Sequence, residues 1–271
     1  MMSMVLPDWE FKSQDGIERY EYSPDPKLRL IFLTRRGGVS RGNYESLNLS
    51  FDVGDKTYHV EENYNKVKQA LQLPAILTVK QSHSDTVLPI AYERTPPELL
   101  EGDACFTDCA GLGLGLKVAD CLPVYIYACD MRCIGIAHCG WRGTAARLAE
   151  KTARLMSRRF SVPLPDLRFS LGPCICSNCY LVGDDVRDRF DDDFPAAHKF
   201  FSPITTAKGN TRYGLDIRAA NRWLLREMGL VEARSLNLCT RETASLFYSV
   251  RGGRTTGRNL AVIALHSAPP A

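Results

Sequence analysis

Two runs of residues concentrate the chemistry of this chain: Ala119-Asp120-Cys121-Leu122-Pro123 and Ala137-His138-Cys139-Gly140-Trp141-Arg142-Gly143. A cysteine opens one apolar stretch and a histidine closes the next. Val124 to Ala128 and Ile134 to Ala137 read as strands, with Asp130-Met131-Arg132 as the turn between them. Antiparallel pairing brings the outer ends of such strands together, so Cys121 and His138 become neighbours in space. A thiolate beside an imidazole is either half of a metal site or a nucleophile with its base. His83, in the turn Gln81-Ser82-His83-Ser84, joins them if that turn lies at the same sheet end. The three then form a His2Cys set that suits zinc and leaves one coordination position open for water or substrate. On spacing alone a plainer reading stands beside it: a cysteine packed as a small hydrophobe near a proline, and a solvated turn histidine.

Other residues extend the picture. Asp120 either orients a ligand imidazole or caps a turn. Gly140-Trp141-Arg142-Gly143 runs into a helix with Thr144 as its N-cap, and backbone N–H groups there, with Arg142 beside them, suit an anion. Cys174-Ile175-Cys176-Ser177-Asn178-Cys179 holds three thiols, but no Cys or His pair follows at zinc-finger spacing, so it reads as a buried turn of small side chains. Cys105 and Cys109, and Cys129 and Cys133, read as ordinary thiols. There is no phosphate-binding Gly-x-x-x-x-Gly-Lys loop. Gly111-Leu112-Gly113-Leu114-Gly115 reads as strand rather than a dinucleotide loop, and the His-x-Glu and Pro-Cys-x-x-Cys pattern of nucleobase deaminases is missing.

The elements that must position these residues are mixed. Leu28 to Thr34, Ile76 to Lys80, Val87 to Tyr92, Gly113 to Val118, Arg168 to Leu171, Ser235 to Cys239 and Asn259 to His266 read as strands. Pro89 makes the third of these an edge strand. Helical spacing marks Val60 to Leu71, Thr144 to Phe160, Asp184 to Phe190 and Asp216 to Met228. Strands and helices interleave, which predicts an α/β (mixed α+β) protein with a sizeable mixed sheet. The absence of a composition break predicts one domain over 1–271, with frayed tails at 1–8 and 267–271.

Composition narrows the partners. The 271 residues are 45% hydrophobic and 24% charged, with a net charge of +3, too small and too dispersed for nucleic acid or an anionic membrane. No run approaches the ~18 apolar residues that span a bilayer. Met1 to Lys12 reaches Asp8 and Glu10 before a signal core forms, so a cytoplasmic location is expected, with the ten cysteines as thiols or metal ligands.

A longer set of ordered motifs carries a family resemblance. It begins at Thr34-Arg35-Arg36-Gly37-Gly38-Val39-Ser40, Ser46-Leu47-Asn48-Leu49, Val53-Gly54-Asp55 and Asn63, and passes through the His83, Cys121 and His138 segments. It ends with Gly172-Pro173-Cys174-Ile175, Cys179-Tyr180, Leu215-Asp216, Cys239-Thr240 and Thr256-Gly257-Arg258. From about Thr34 to Leu265 the chain resembles the laccase-domain (YfiH-type) family, known both as multicopper polyphenol oxidase-like proteins and as zinc-dependent purine nucleoside phosphorylases. The resemblance implies a single-domain four-layer α/β/β/α sandwich and metal ligands at His83, Cys121 and His138. It also implies phosphorolysis of adenosine, inosine, guanosine and methylthioadenosine, with adenosine deamination alongside. The chain departs from the family pattern at Val118, Cys139, Cys176 and Gly252, where threonine, alanine, glycine and a second arginine after Arg251 are usual.

These readings set the functional expectations. One Zn2+ per chain is expected, with copper able to take its place. Asp120 and Arg142 are the catalytic candidates. Arg35, Arg36, Thr144 and Arg251 are candidates for phosphate, and Asn48 for ribose. The expected partners are a nucleoside and phosphate, with no nucleic acid and no membrane, in a monomer or homodimer. The alternatives are a hydrolase that removes a wrong amino acid from a UDP-muramoyl peptidoglycan precursor, a copper-dependent polyphenol oxidase, and a non-catalytic metal-binding module. Five histidines and no His-x-His pair argue against a multicopper centre.

Overall fold

A computed structural model describes residues 8–91, 100–194, 196–205 and 211–266. The tails expected to fray lie outside these residues apart from Asp8, as does Tyr92, the expected end of one strand. In chain order the strands are β1 (Glu10–Gln14), β2 (Ile17–Asp25), β3 (Leu28–Leu33), β4 (Ala75–Thr78), β5 (Val87–Pro89), β6 (Ala104–Thr107), β7 (Leu112–Val118), β8 (Leu122–Ala128) and β9 (Ile134–Cys139). They continue as β10 (Leu167–Leu171), β11 (Leu181–Val182), β12 (Phe201–Thr205), β13 (Thr211–Leu215), β14 (Val231–Glu232) and β15 (Asn259–Leu265). The α-helices are α1 (Thr57–Leu71), α2 (Trp141–Ala145), α3 (Leu148–Phe160), α4 (Asp184–Asp193) and α5 (Ile217–Glu227). The chain is a mixed α/β protein.

Two six-stranded sheets dominate, ordered β1-β2-β3-β15-β7-β4 and β14-β10-β8-β9-β6-β5, and β11-β13-β12 form a small third sheet. Each large sheet mixes parallel and antiparallel pairs. β5 lies at a sheet edge, where Pro89 costs no ladder hydrogen bond.

Period-two alternation sorts the strand side chains between different cores. In β8, Leu122, Val124 and Ile126 face one core while Tyr125 and Tyr127 face another. The first of these lies under α2, α3 and α5, through Ala145, Leu148, Ala149, Met156 and Leu224. The second is shared by the two large sheets, with Leu30, Phe32, Leu116 and Ile263 meeting Tyr125, Ile134 and Ile136. A third core seats α1 on the other face of the first sheet, where Val67 and Leu71 meet Ile31, Leu33 and Val262.

Two expected elements differ. The helix read over Thr144 to Phe160 is two helices, broken at Arg147, whose φ is 56°. No local breaker stands there, so tertiary packing overrides a continuous helical pattern. Gly143 sits so close beneath the end of β9 that a Cβ there would lie 2.9 Å from the His138 carbonyl oxygen. Ser235 to Cys239 is not a strand; only Cys239 makes an isolated bridge, to Cys174. Before β3 the first sheet gains β1 and β2, and β6 lies between β5 and β9; none of these three is among the expected strands.

Candidate metal centre and substrate cleft

The hairpin of β8 and β9 pairs Leu122 with Cys139 and Pro123 with His138, so Cys121, one residue before β8, lies at the same end as His138. Asp120 takes a positive φ of 104°, which turns the chain into that strand. His83 reaches the same place from the turn after β4, also with positive φ, at 60°. Ligand atoms of His83, Cys121 and His138 all lie within 4.8 Å of one another. Gly140 closes in from behind; a Cβ on it would stand 2.8 Å from the Cys121 sulfur.

One carboxylate organises both histidines. Asp103, fully buried just before β6, accepts from His138 Nδ1 at 2.8 Å through Oδ1. Its other oxygen, Oδ2, accepts from Ser82 N (3.1 Å), Ser84 N (2.7 Å) and Ser84 Oγ (2.9 Å), the residues that flank His83. Burial alone would raise the Asp103 carboxyl, but the hydrogen bonds from His138 and Ser84 prevail and hold it at about 2. With Nδ1 committed to Asp103, Nε2 is the His138 atom left for a ligand. Gln81 anchors the same turn to β7: its Oε1 accepts from Lys117 N at 2.8 Å and its Nε2 donates to Lys117 O at 2.9 Å.

Burial opposes charge on both Cys121 and His138, yet their mutual attraction wins. The two histidines hold the Cys121 thiol down, while Cys121 and Asp103 hold His138 up. A cation would stabilise the thiolate as the imidazolium proton does, and the donor set of one sulfur and two imidazoles fits a metal.

The three residues form one wall of a cleft of about 530 Å³. Lys117, Arg142, Arg251 and Arg258 bring positive charge to it, and Trp141, Ile175, Tyr180, Ile217 and Val250 supply apolar surface. Asp52 lies 3.6 Å from the Lys117 ammonium. Arg142 stacks on Trp141, its guanidinium 4.4 Å from the ring centre, and Arg251 lies 5.0 Å over Tyr180.

Several predicted site residues stand elsewhere or act differently. Arg35 and Arg36 do not line this cleft. Arg35 donates to the carbonyls of Glu45 and Ala244, and Arg36 donates to Ser245 O and pairs with Glu18. Both are spent on fastening chain segments, in a shallower pocket of about 260 Å³. Asn48 is fully buried and contacts no cleft space; its Oδ1 accepts from Arg258 N at 3.0 Å, so it positions that arginine. Thr144 is not an N-cap: α2 starts at Trp141 after Gly140, and buried Thr144 accepts from Asn221 Nδ2 at 2.9 Å. Asp120 does not orient an imidazole; Asp103 does. The Asp120 oxygens accept from Thr240 Oγ1 (2.7 Å) and Arg251 N (2.8 Å). Sequence reasoning missed Asp103 and Lys117. The signals were an acid directly before the apolar run Ala104-Cys105-Phe106, and a lone lysine in the apolar strand Gly113 to Val118.

Residues 29–266 match the family model described as multi-copper polyphenol oxidoreductase laccase. The chain is 33% identical over 248 residues to the purine nucleoside phosphorylase YlmD of Geobacillus stearothermophilus, covering 85% of this chain and 87% of that one. It is 30% identical over 260 residues to adenosine deaminase RL5 from an unknown prokaryotic organism, covering 89% and 96%. The crystal structure of Bacillus licheniformis hypothetical protein YfiH superposes with a TM-score of 0.85 at 31% identity, over 94% of this chain and 98% of that one.

Proposed function

The chain belongs to the multi-copper polyphenol oxidoreductase laccase family, and on that premise we propose that it is a zinc-dependent purine nucleoside phosphorylase. One observation carries the reading: four cationic side chains share a single cleft with the His83, Cys121 and His138 set. A reaction that consumes phosphate uses such a cluster, since cationic donors make the strong, charge-assisted bonds to phosphate oxygens. The names of the relatives support an enzyme of this class.

In phosphorolysis a phosphate oxygen bonds to the ribose anomeric carbon as the C–N bond breaks and the base leaves with the electron pair. Arg142, stacked on Trp141, is the cation placed to hold the phosphate dianion against the sugar, while Lys117, Arg251 and Arg258 add positive charge to the cleft although they also bond Asp52 and the carbonyls of Leu181, Thr256 and Gly257. Cations already in place before the reaction stabilise its transition state without reorganising. Trp141, Ile175, Tyr180 and Val250 take the flat apolar faces of the base, and about 530 Å³ lies in the size range of small-molecule sites. His83, Cys121 and His138 would hold the zinc, which would supply Lewis-acid chemistry to the cleft. Asp120 acts as a positioning residue, since its oxygens already accept from Thr240 and Arg251. Adenosine deamination in the same cleft is the second reading, favoured by the match to adenosine deaminase RL5.

Product analysis tests the proposal. Zinc-loaded protein is given adenosine, inosine, guanosine or methylthioadenosine, with and without phosphate. Free base and ribose 1-phosphate (or its methylthio counterpart) should form only with phosphate. Phosphate-independent loss of inosine, or turnover of a UDP-muramoyl peptide in its place, refutes it.

A further inference from the structure

Away from the cleft ligands, the described residues gather one other set of metal-binding side chains. Ligand atoms of Cys176, Cys179, Cys239 and Glu242 all lie within 4.8 Å of one another. Two tight turns supply them. In Cys176-Ser177-Asn178-Cys179 the N–H groups of Cys179 and Tyr180 both donate to Cys176 O at 3.0 Å. In Cys239-Thr240-Arg241-Glu242 the Thr243 N–H donates to Cys239 O at 3.0 Å. Each turn presents its ligands three residues apart, the spacing of a Cys-x-x-Cys knuckle with glutamate as the last member of the second.

The turns face one another. Cys174 and Cys239 form a parallel bridge, and the Cys176 N–H points at the Cys239 sulfur at 3.4 Å. Glu242 Oε1 stands 3.4 Å from Cys176 Sγ and 3.6 Å from Cys179 Sγ. A tetrahedral ion with metal–sulfur bonds of ~2.3 Å and a metal–oxygen bond of ~2.0 Å separates its sulfur and oxygen ligands by about 3.5 Å. In the metal-free protein the Cys176 and Cys179 thiols donate to that one carboxylate oxygen, a convergence that fully buried Cys105 and Cys133, packed as small hydrophobes, do not share, and an ion would take the place of the two thiol protons.

We infer that Cys176, Cys179, Cys239 and Glu242 form a second metal site, separate from the cleft, that takes a thiophilic tetrahedral ion of the zinc class. Four protein ligands leave no open position, so the site is structural. It clamps two segments that otherwise share few backbone hydrogen bonds, and both touch the cleft wall. Ile175 N donates to Asp120 O at 2.9 Å, Tyr180 lines the cleft, and Thr240 donates to the Asp120 carboxylate at 2.7 Å.

Metal counts on the full chain, produced in zinc-supplemented medium, test the inference. Wild type should carry about two zinc ions per chain and a Cys121→Ser variant about one, as two independent sites require. In the Cys121→Ser background, cobalt(II) added in place of zinc should give an intense thiolate-to-cobalt absorption, which the further substitutions Cys176→Ser and Cys179→Ser should abolish. A Cys121→Ser protein with neither zinc nor that absorption overturns the proposal. So does a thiol titration of unreduced Cys121→Ser that gains two thiols on reduction, since the sulfurs would then form a disulfide. If the multiple variant does not fold, the zinc count and cobalt spectrum of Cys121→Ser alone decide.

Discussion

Asp103→Asn isolates the carboxylate that joins the His83 turn to His138. The wild-type side chain accepts four hydrogen bonds, one from the His138 ring and three from Ser82 and Ser84. An amide cannot reproduce them. If its oxygen faces the turn, its NH2 faces His138 Nδ1 and selects the tautomer with Nε2 protonated, which cannot bind a metal. If its oxygen faces His138, its NH2 meets the donors of Ser82 and Ser84 and drives the His83 turn away. Either way zinc affinity should fall about 10- to 100-fold, the usual cost of losing a carboxylate behind a ligand histidine. The Asp103 carboxyl lies at about 2 against an ordinary 3.8, equivalent to about 2 kcal/mol of preference for the ionised form in the fold. Metal-free protein should therefore lose about 2 kcal/mol, or roughly 4–8 °C in Tm. Competition for zinc against a chromophoric chelator measures the first quantity and thermal melts of the metal-free protein the second. A zinc affinity within about threefold of wild type, below the smallest effect expected, would show that Asp103 does not organise the two histidines.

Gly140→Ala meets no backbone strain, with φ at −71°, but its Cβ would sit 2.8 Å from the Cys121 sulfur. The clash should lower the metal-free melting temperature modestly and lower zinc affinity as well by displacing the sulfur; unchanged affinity contradicts a ligand role for Cys121. Arg142→Met removes an exposed cation at the cleft, so the KM for phosphate in inosine phosphorolysis should rise about tenfold or more with Tm unchanged; an unaltered phosphate KM removes Arg142 from the site. Glu21 concerns the fold: burial raises its carboxyl, but Arg29, Arg19 and Lys12 outweigh it and bring it from 4.5 to about 2. Because this carboxyl is depressed in the folded state, its stabilisation of about 3 kcal/mol is complete above pH 4.5 and is lost as pH falls towards 2. Urea unfolding of wild type and Glu21→Gln at pH 7 and pH 3 should show the variant weaker at neutral pH and less acid-sensitive; parallel loss in both proteins contradicts the assignment.

What could be read along the chain follows from local rules. The β8–β9 hairpin needs only two apolar runs and a polar turn, and its antiparallel register puts Cys121 beside His138 without reference to the rest of the molecule. Pro89 marks an edge because a missing N–H can only face away from a ladder. Family motifs carried His83 to the same place, although spacing could not, since its turn belongs to a segment between the two large sheets.

Other features depend on which segments the cores bring together. Arg35 and Arg36 look like a phosphate grip in sequence, yet packing spends their donors on three carbonyls. The partner turn for Cys176 and Cys179 is about sixty residues away and ends in glutamate, so no spacing pattern announces it. Asp103 reads as one acid among thirty-one Asp and Glu residues until burial leaves it His138 and the Ser82–Ser84 turn as partners. Residue types, the hairpin and the mixed α/β character are legible along the chain because periods of two and 3.6 are local properties of the backbone. Which charges face the cleft and which carboxylate holds the histidines emerge on packing, because burial and long-range contacts belong to the folded molecule.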